Sequence, residues 1–118
     1  MNKEKLIRDL CARLPYDVKV LYNNKVFSID YVSSMHEEIK LDTCDNYTLD
    51  VSDVKPYLFP ILSMTDEQEA EYNNLNNYEL GCFPHTEEAL DYLIKNNFDY
   101  IGLIPIGLAI DATGLNIY

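Results

Sequence analysis

The sequence predicts an α+β fold with one amphipathic helix, then a run of short antiparallel strands, then two helices that are almost purely acidic. Three observations carry that prediction. Apolar residues recur at helical spacing over residues 6–14, switch to a period of two over residues 18–51, and return to helical spacing after residue 65. A proline-punctuated stretch, residues 51–64, stands at the switch. Charge divides at the same place. Residues 1–60 hold ten acidic and eight basic side chains, net −2, whereas residues 61–118 hold ten acidic and one basic, Lys95, net −9.

The 118 residues suit a single domain, 1–118, with a 1–15 helix, a 16–60 β unit and a 61–118 acidic helical extension. With 47% hydrophobic and 25% charged residues, the chain has the composition of a folded domain despite its net charge of −11. Cys11, Cys44 and Cys82 are odd in number and form no CxxC pair, and no secretory h-region precedes them, so free thiols and a cytoplasmic location are expected. Asn46-Tyr47-Thr48 is then a chance glycosylation match. The longest apolar run, residues 101–110, is too short and too rich in Gly and Pro to span a membrane. An acidic surface repels phosphate backbones, so direct nucleic-acid binding is disfavoured, while a basic protein partner stays open.

In the first helix Leu6, Ile7, Leu10, Cys11 and Leu14 share one face, and Lys3, Glu4, Arg8, Asp9 and Arg13 fall elsewhere. Asn2 can cap its start and Pro15 stops it, with Cys11 packing as a small hydrophobe. From Asp17 the alternation of Val18, Val20 and Tyr22, broken by Asn23-Asn24 and resumed through Val26, Phe27, Ile29 and Tyr31, predicts a hairpin, because Asn tolerates the positive φ of a tight turn. Residues 38–42 and 47–51 supply two more strands around a polar turn at Cys44-Asp45-Asn46. Ser52-Asp53 can cap a single helical turn before a last strand reaching Tyr57 and Leu58. Pro56 and Pro60 each lack a ladder donor, which predicts an edge or closing strand there. Four short strands, a turn and a fifth strand follow the order of an SH3-like or Tudor-like small barrel.

Beyond it, Ile61, Leu62 and Met64 are expected to tether the acidic helices. Thr65 and Gln68 form a capping box, and Asp66 and Glu67 suit the positive end of the helix dipole. This helix runs to about Leu75 with a thin apolar face of Ala70, Tyr72 and Leu75. Thr86 caps a second helix whose stripe is Ala89, Leu90, Leu93 and Ile94, ended by Asn96-Asn97. Residues 98–110 then read as tight turns and a short extended segment wedged into the body, and residues 111–118 as a tail that can pair at an edge.

Leu14-Pro15-Tyr16, Val54-Lys55-Pro56-Tyr57-Leu58-Phe59-Pro60, Ser63-Met64-Thr65, and Phe98-Asp99-Tyr100 with Gly102-Leu103-Ile104 and Gly107-Leu108-Ala109 together resemble a group of small uncharacterised proteins from phages and mobile elements of gut Bacteroidota. The resemblance covers most of the chain and implies a phage-type accessory role in a bacterial cytoplasm, with no known activity. Where such proteins carry Arg this chain has Phe59 and Ile101, and where they carry His it has Asn96 and Asn97, so a function resting on those polar groups does not carry over.

Chemistry-bearing motifs are few. Cys82 and His85 bring a thiol and an imidazole together, but neither His36 nor Cys44 stands at metal-site spacing from them, and a structural loop is the expectation. Gly102 and Gly107 have the glycine spacing of a P-loop, yet Leu108 and Ala109 occupy the positions of its Lys and Ser/Thr. Glu37-Glu38 and Glu87-Glu88 point in diverging directions and form no acid/base dyad. No catalytic residue, metal or cofactor is expected. The predicted role is a non-catalytic protein-interaction module, with Tyr22, Tyr31, Tyr47 and Tyr57 lining one face and Asp66, Glu67 and Glu71 offering carboxylates to the partner; an anti-defence inhibitor or DNA mimic is its sharper form. The alternative is a small enzyme or nucleotide-binding protein with a pocket under the C-terminal apolar segment and Cys82 and His85 near its mouth.

Overall fold

In the computed structural model, which describes residues 2–33, 35–42, 48–76 and 86–118, six strands form one mixed sheet in the order β4-β3-β2-β1-β5-β6. Strands β1 (Lys19–Tyr22), β2 (Lys25–Ser33), β3 (Glu38–Leu41) and β4 (Leu49–Asp50) are an antiparallel meander; β5 (Lys55–Leu58) returns to pair antiparallel with β1, and β6 (Ile110–Asp111) adds parallel to β5. Helix α1 (Asn2–Arg13) precedes the sheet, and α2 (Asp66–Leu75) and α3 (Glu87–Lys95) lie between β5 and β6. Among the described residues no helix is long and apolar enough to cross a membrane.

Asn23 and Asn24 sit at φ 52° and 62° and set the register from Lys19↔Ser28 to Tyr22↔Lys25, as a two-residue turn with positive φ at both positions requires. An irregularity between Ile29 and Tyr31 bends β2, so its first half pairs with β1 and its second with β3. The sheet does not close into the expected barrel: β4 pairs with β3 alone among the described residues, and the outer edge of β5 is taken by β6. Strand β5 is therefore interior rather than the edge that its prolines suggested. Pairing with β6 starts only at Tyr57, so Pro56 stands outside that ladder, and Pro60 falls just past the last bridge, Phe59↔Phe98.

The turn Val51–Asp53 is capped by Asp50, not by the Ser52-Asp53 pair: the Asp50 carboxylate accepts from the Ser52 amide at 2.9 Å and the Ser52 hydroxyl at 2.7 Å, with Lys3 Nζ at 3.0 Å. These bonds, Ser52 first and Lys3 after it, lower the Asp50 pKa to about 2. The turn keeps that contribution at pH values above the ordinary carboxylate range and loses it as pH falls through about 2.

Apolar burial divides into two clusters. The first packs Leu6, Ile7 and Leu10 of α1 against Val18, Val20, Ile39, Val54 and Leu58 of the sheet region, with Leu103 and Ala109 joining from the C-terminal segment. In the second, Tyr72 of α2 meets Ala89 and Leu93 of α3 and Phe98 beyond it, flanked by Ile61 and Met64. Leu62, expected to tether these helices, is 88% exposed, because the short helical turn Ile61–Ser63 points its neighbours inward instead. Ala70 is exposed too, leaving Tyr72 and Leu75 as the contacts of α2.

Both later helices start as their sequences dictate. Thr65 and Gln68 exchange bonds of 2.9 and 3.2 Å in a capping box. Thr86 accepts from the Ala89 amide at 3.0 Å and donates its hydroxyl proton to the Leu75 carbonyl at 2.7 Å, stitching the end of α2 to the start of α3. Thr86→Ala removes both bonds and is expected to cost about 1–2 kcal/mol in urea unfolding, with Thr86→Ser restoring most of it.

Candidate functional site

The chemistry-bearing groups of the interior gather where α1, α3 and the segment after α3 meet. Arg13 and Asp9, one helical turn apart, are fully buried and paired in a two-pronged contact, Nε to Oδ2 and Nη2 to Oδ1, both 2.9 Å. The guanidinium also donates to the carbonyls of Ile94 at 3.2 Å and Phe98 at 2.5 Å and lies 5.6 Å from the centre of the Tyr100 ring. Burial pushes the Asp9 carboxyl above its ordinary value, and Arg13 draws it back only in part. The inward face of α1 is thus Leu6, Asp9, Leu10 and Arg13. Sequence spacing had put Asp9 and Arg13 outside and Cys11 inside; Cys11 is exposed, and the partial cover its thiol receives raises its pKa and leaves little thiolate at neutral pH.

The end of α3 shapes the same region. Asn97 adopts φ 61°, its amide donates to Ile94 O and the Phe98 amide to Leu93 O, which is a Schellman ending with Asn in place of Gly. The Asn97 side chain donates to the Asp17 carbonyl at 3.0 Å, while its buried Oδ1 has no partner among the described residues. Two residues on, the Asp99 carboxylate accepts from the amides of Gly102 at 3.0 Å, Leu103 at 2.8 Å and Ile104 at 2.9 Å. Gly102, at φ 92°, permits the curl that aims these amides at one point. The loop with P-loop-like glycines therefore spends these three donors on the chain's own carboxylate.

On the far side of Phe98 lies a cleft of about 260 Å³. Its aromatic wall is Phe59 and Phe98, with ring centres 6.1 Å apart. Ser63, Thr65 and Gln68 line it from the start of α2, Asn96 from the end of α3, and Thr113 and Gly114 from the loop after β6. No charged side chain is among these. A second, more open groove of about 670 Å³ runs between α1 and the turn before β3, lined by Ile7, Arg8, Cys11 and Met35 with Glu4 and Glu37.

No protein-family model, curated protein or solved structure matches this chain.

The predicted partner-binding residues are not brought to one surface. Tyr57 is buried at 7% exposure, and Tyr22 packs partly buried against Phe27. Tyr31 is exposed at 42%, at the other end of β2 from the residue paired with Tyr22. Asp66, Glu67 and Glu71 are exposed on α2. Tyr47, Cys44, Cys82 and His85 lie outside the described residues. What sequence reading missed are Asp9, Arg13 and Asp99. The opposite charges four apart on an apolar helix, and an Asp three residues before a Gly, were the available signals.

Tyr118 fixes the tail across this region: its hydroxyl accepts from the Lys19 amide at 2.8 Å and donates to the Tyr57 carbonyl at 2.7 Å, and its ring lies 5.7 Å from that of Phe59. Burial of the phenol pushes its pKa up to about 12, with the Lys19 amide opposing. A raised pKa contributes stability that is complete below the ordinary tyrosine value of about 10 and is lost as pH rises through about 12. Unfolding monitored between those values should show stability falling with pH in the parent chain and a shallower fall in Tyr118→Phe.

Proposed function

We propose that this chain is a non-catalytic protein-interaction module that presents the outer face of α2 and α3 to a basic protein partner. The observation that carries this reading is the state of the carboxylates on those helices. Asp66, Glu67, Glu69, Glu71, Glu87, Glu88 and Asp91 are all exposed, and among the described residues none of them makes an ion pair. The buried contacts of Tyr72 with Ala89 and Leu93 hold the two helices together, which fixes the position of one set of carboxylates relative to the other. Such a surface raises the encounter rate of a cationic partner and repels phosphate backbones. The mixed sheet, in the order β4-β3-β2-β1-β5-β6, provides the scaffold. On the resemblance to phage and mobile-element proteins, our reading extends to an accessory protein acting on a host or phage protein in a bacterial cytoplasm.

Affinity capture from host lysate at two salt concentrations tests it. A basic protein should be retained at low salt, released at high salt, and lost when Glu67→Lys and Glu71→Lys are combined. An empty low-salt capture, or one unchanged by the two substitutions, would remove this reading.

A further inference from the structure

We propose that the cleft between Phe59 and Gln68 binds a neutral heteroaromatic ligand the size of a nucleobase, with or without its ribose. This is independent of the acidic outer face. The cleft brings together an aromatic wall and a small number of convergent polar groups, which is the composition of small-molecule sites, and its volume of about 260 Å³ sits just below the range of about 300–1,000 Å³ that serves drug-sized ligands. Most of its polar atoms are already committed. The Thr65 hydroxyl and Gln68 Oε1 belong to the capping box, the Ser63 hydroxyl donates to the Pro60 carbonyl at 2.6 Å, and Asn96 Nδ2 donates to the Tyr92 carbonyl at 2.9 Å. Among the uncommitted groups are the Nε2 donor of Gln68 and the Oδ1 acceptor of Asn96, which have no partner among the described residues.

The Gln68 donor, the Asn96 acceptor and the ring of Phe59, tilted 56° from that of Phe98, match a planar ring that carries an acceptor beside a donor, as nucleobase edges do. Charge sets the rest of the preference. No Lys or Arg lines the cleft, the capping box occupies the start of α2, and Asp66 and Glu67 follow directly, so a phosphate gains nothing here and meets a negative field. The base and the nucleoside are therefore preferred over the nucleotide.

Titration of the full chain with adenine, adenosine and AMP, read by amide NMR, tests this. Adenine and adenosine should saturate and shift the Thr113 and Gly114 amides by ring current, with AMP binding at least several-fold more weakly. Gln68→Glu keeps the acceptor oxygen that the capping box needs, so its unfolding midpoint should match the parent, but it replaces the free donor with a carboxylate oxygen and should weaken adenosine binding at least tenfold. Phe59→Leu removes the stacking wall and should weaken it likewise. Absence of saturation by adenine and adenosine, shifts confined to amides away from the cleft, AMP binding as tightly as adenosine, or Gln68→Glu binding like the parent would each overturn the proposal.

Discussion

Arg13→Ala is expected to destabilise the protein by about 3–5 kcal/mol at neutral pH, the largest effect of any single substitution considered, because it leaves the Asp9 carboxylate buried without its counter-charge. The loss exceeds one ion pair, since the carbonyls of Ile94 and Phe98 lose a donor at the same time. Arg13→Lys should recover only part of it: an ammonium cannot reproduce the planar fork that holds both Asp9 oxygens and reaches two carbonyls. The double replacement Arg13→Met with Asp9→Leu should be far milder than either single change, as apolar residues of similar volume avoid the desolvation of both charges. The raised pKa of Asp9 points the same way, because Arg13 offsets the cost of burying the carboxylate only in part. Its sign is also testable. A carboxyl held above its ordinary value contributes stability that is complete below about pH 4 and is lost as pH rises through the folded value. Urea unfolding of the four chains across this range measures both effects, and equal losses in the single and double variants would show that the pair acts through packing alone.

Asp99→Ala is the second large effect, about 3 kcal/mol, since three amides that the carboxylate now accepts from are left without their acceptor, one of them fully buried. Asp99→Asn should cost less. Its remaining oxygen can serve Gly102 and Leu103, whereas its NH₂ group meets the Ile104 amide donor to donor. Hydrogen exchange at Leu103 separates this from a general loss of stability: the Leu103 amide should lose protection in Asp99→Ala by more than the amides of β1 do. A uniform fall across all amides would show that the loop has no independent role.

Local rules carried much of the architecture. Asn23-Asn24 dictates the hairpin because few other residues accept positive φ at both turn positions, and Thr65 and Thr86 dictate the helix starts because each hydroxyl satisfies an amide that the helix itself cannot. The order helix, short strands, two acidic helices follows from periodicity, and so does the apolar stripe of α3. Of the residues singled out for binding, Asp66, Glu67 and Glu71 are exposed, which follows from a helix with a thin apolar face.

The cleft was not legible in the same way, because its walls come from the end of β5, the start of α2, the end of α3 and the loop after β6, and nothing local fixes their approach. Tertiary structure also decided the fate of Asp9 and Arg13. Hydropathy assigns each charge to solvent by itself, but together, beside the free carbonyls of Ile94 and Phe98, they form a unit that can be buried. The same holds for β5. Pro56 argues locally for an edge, yet the C-terminal segment supplies β6 one residue further along, where a ladder can form. What the sequence determined alone are the elements whose partners lie within a few residues. Where a donor and its acceptor, or a strand and its neighbour, are separated by half the chain, only the folded arrangement shows that they meet.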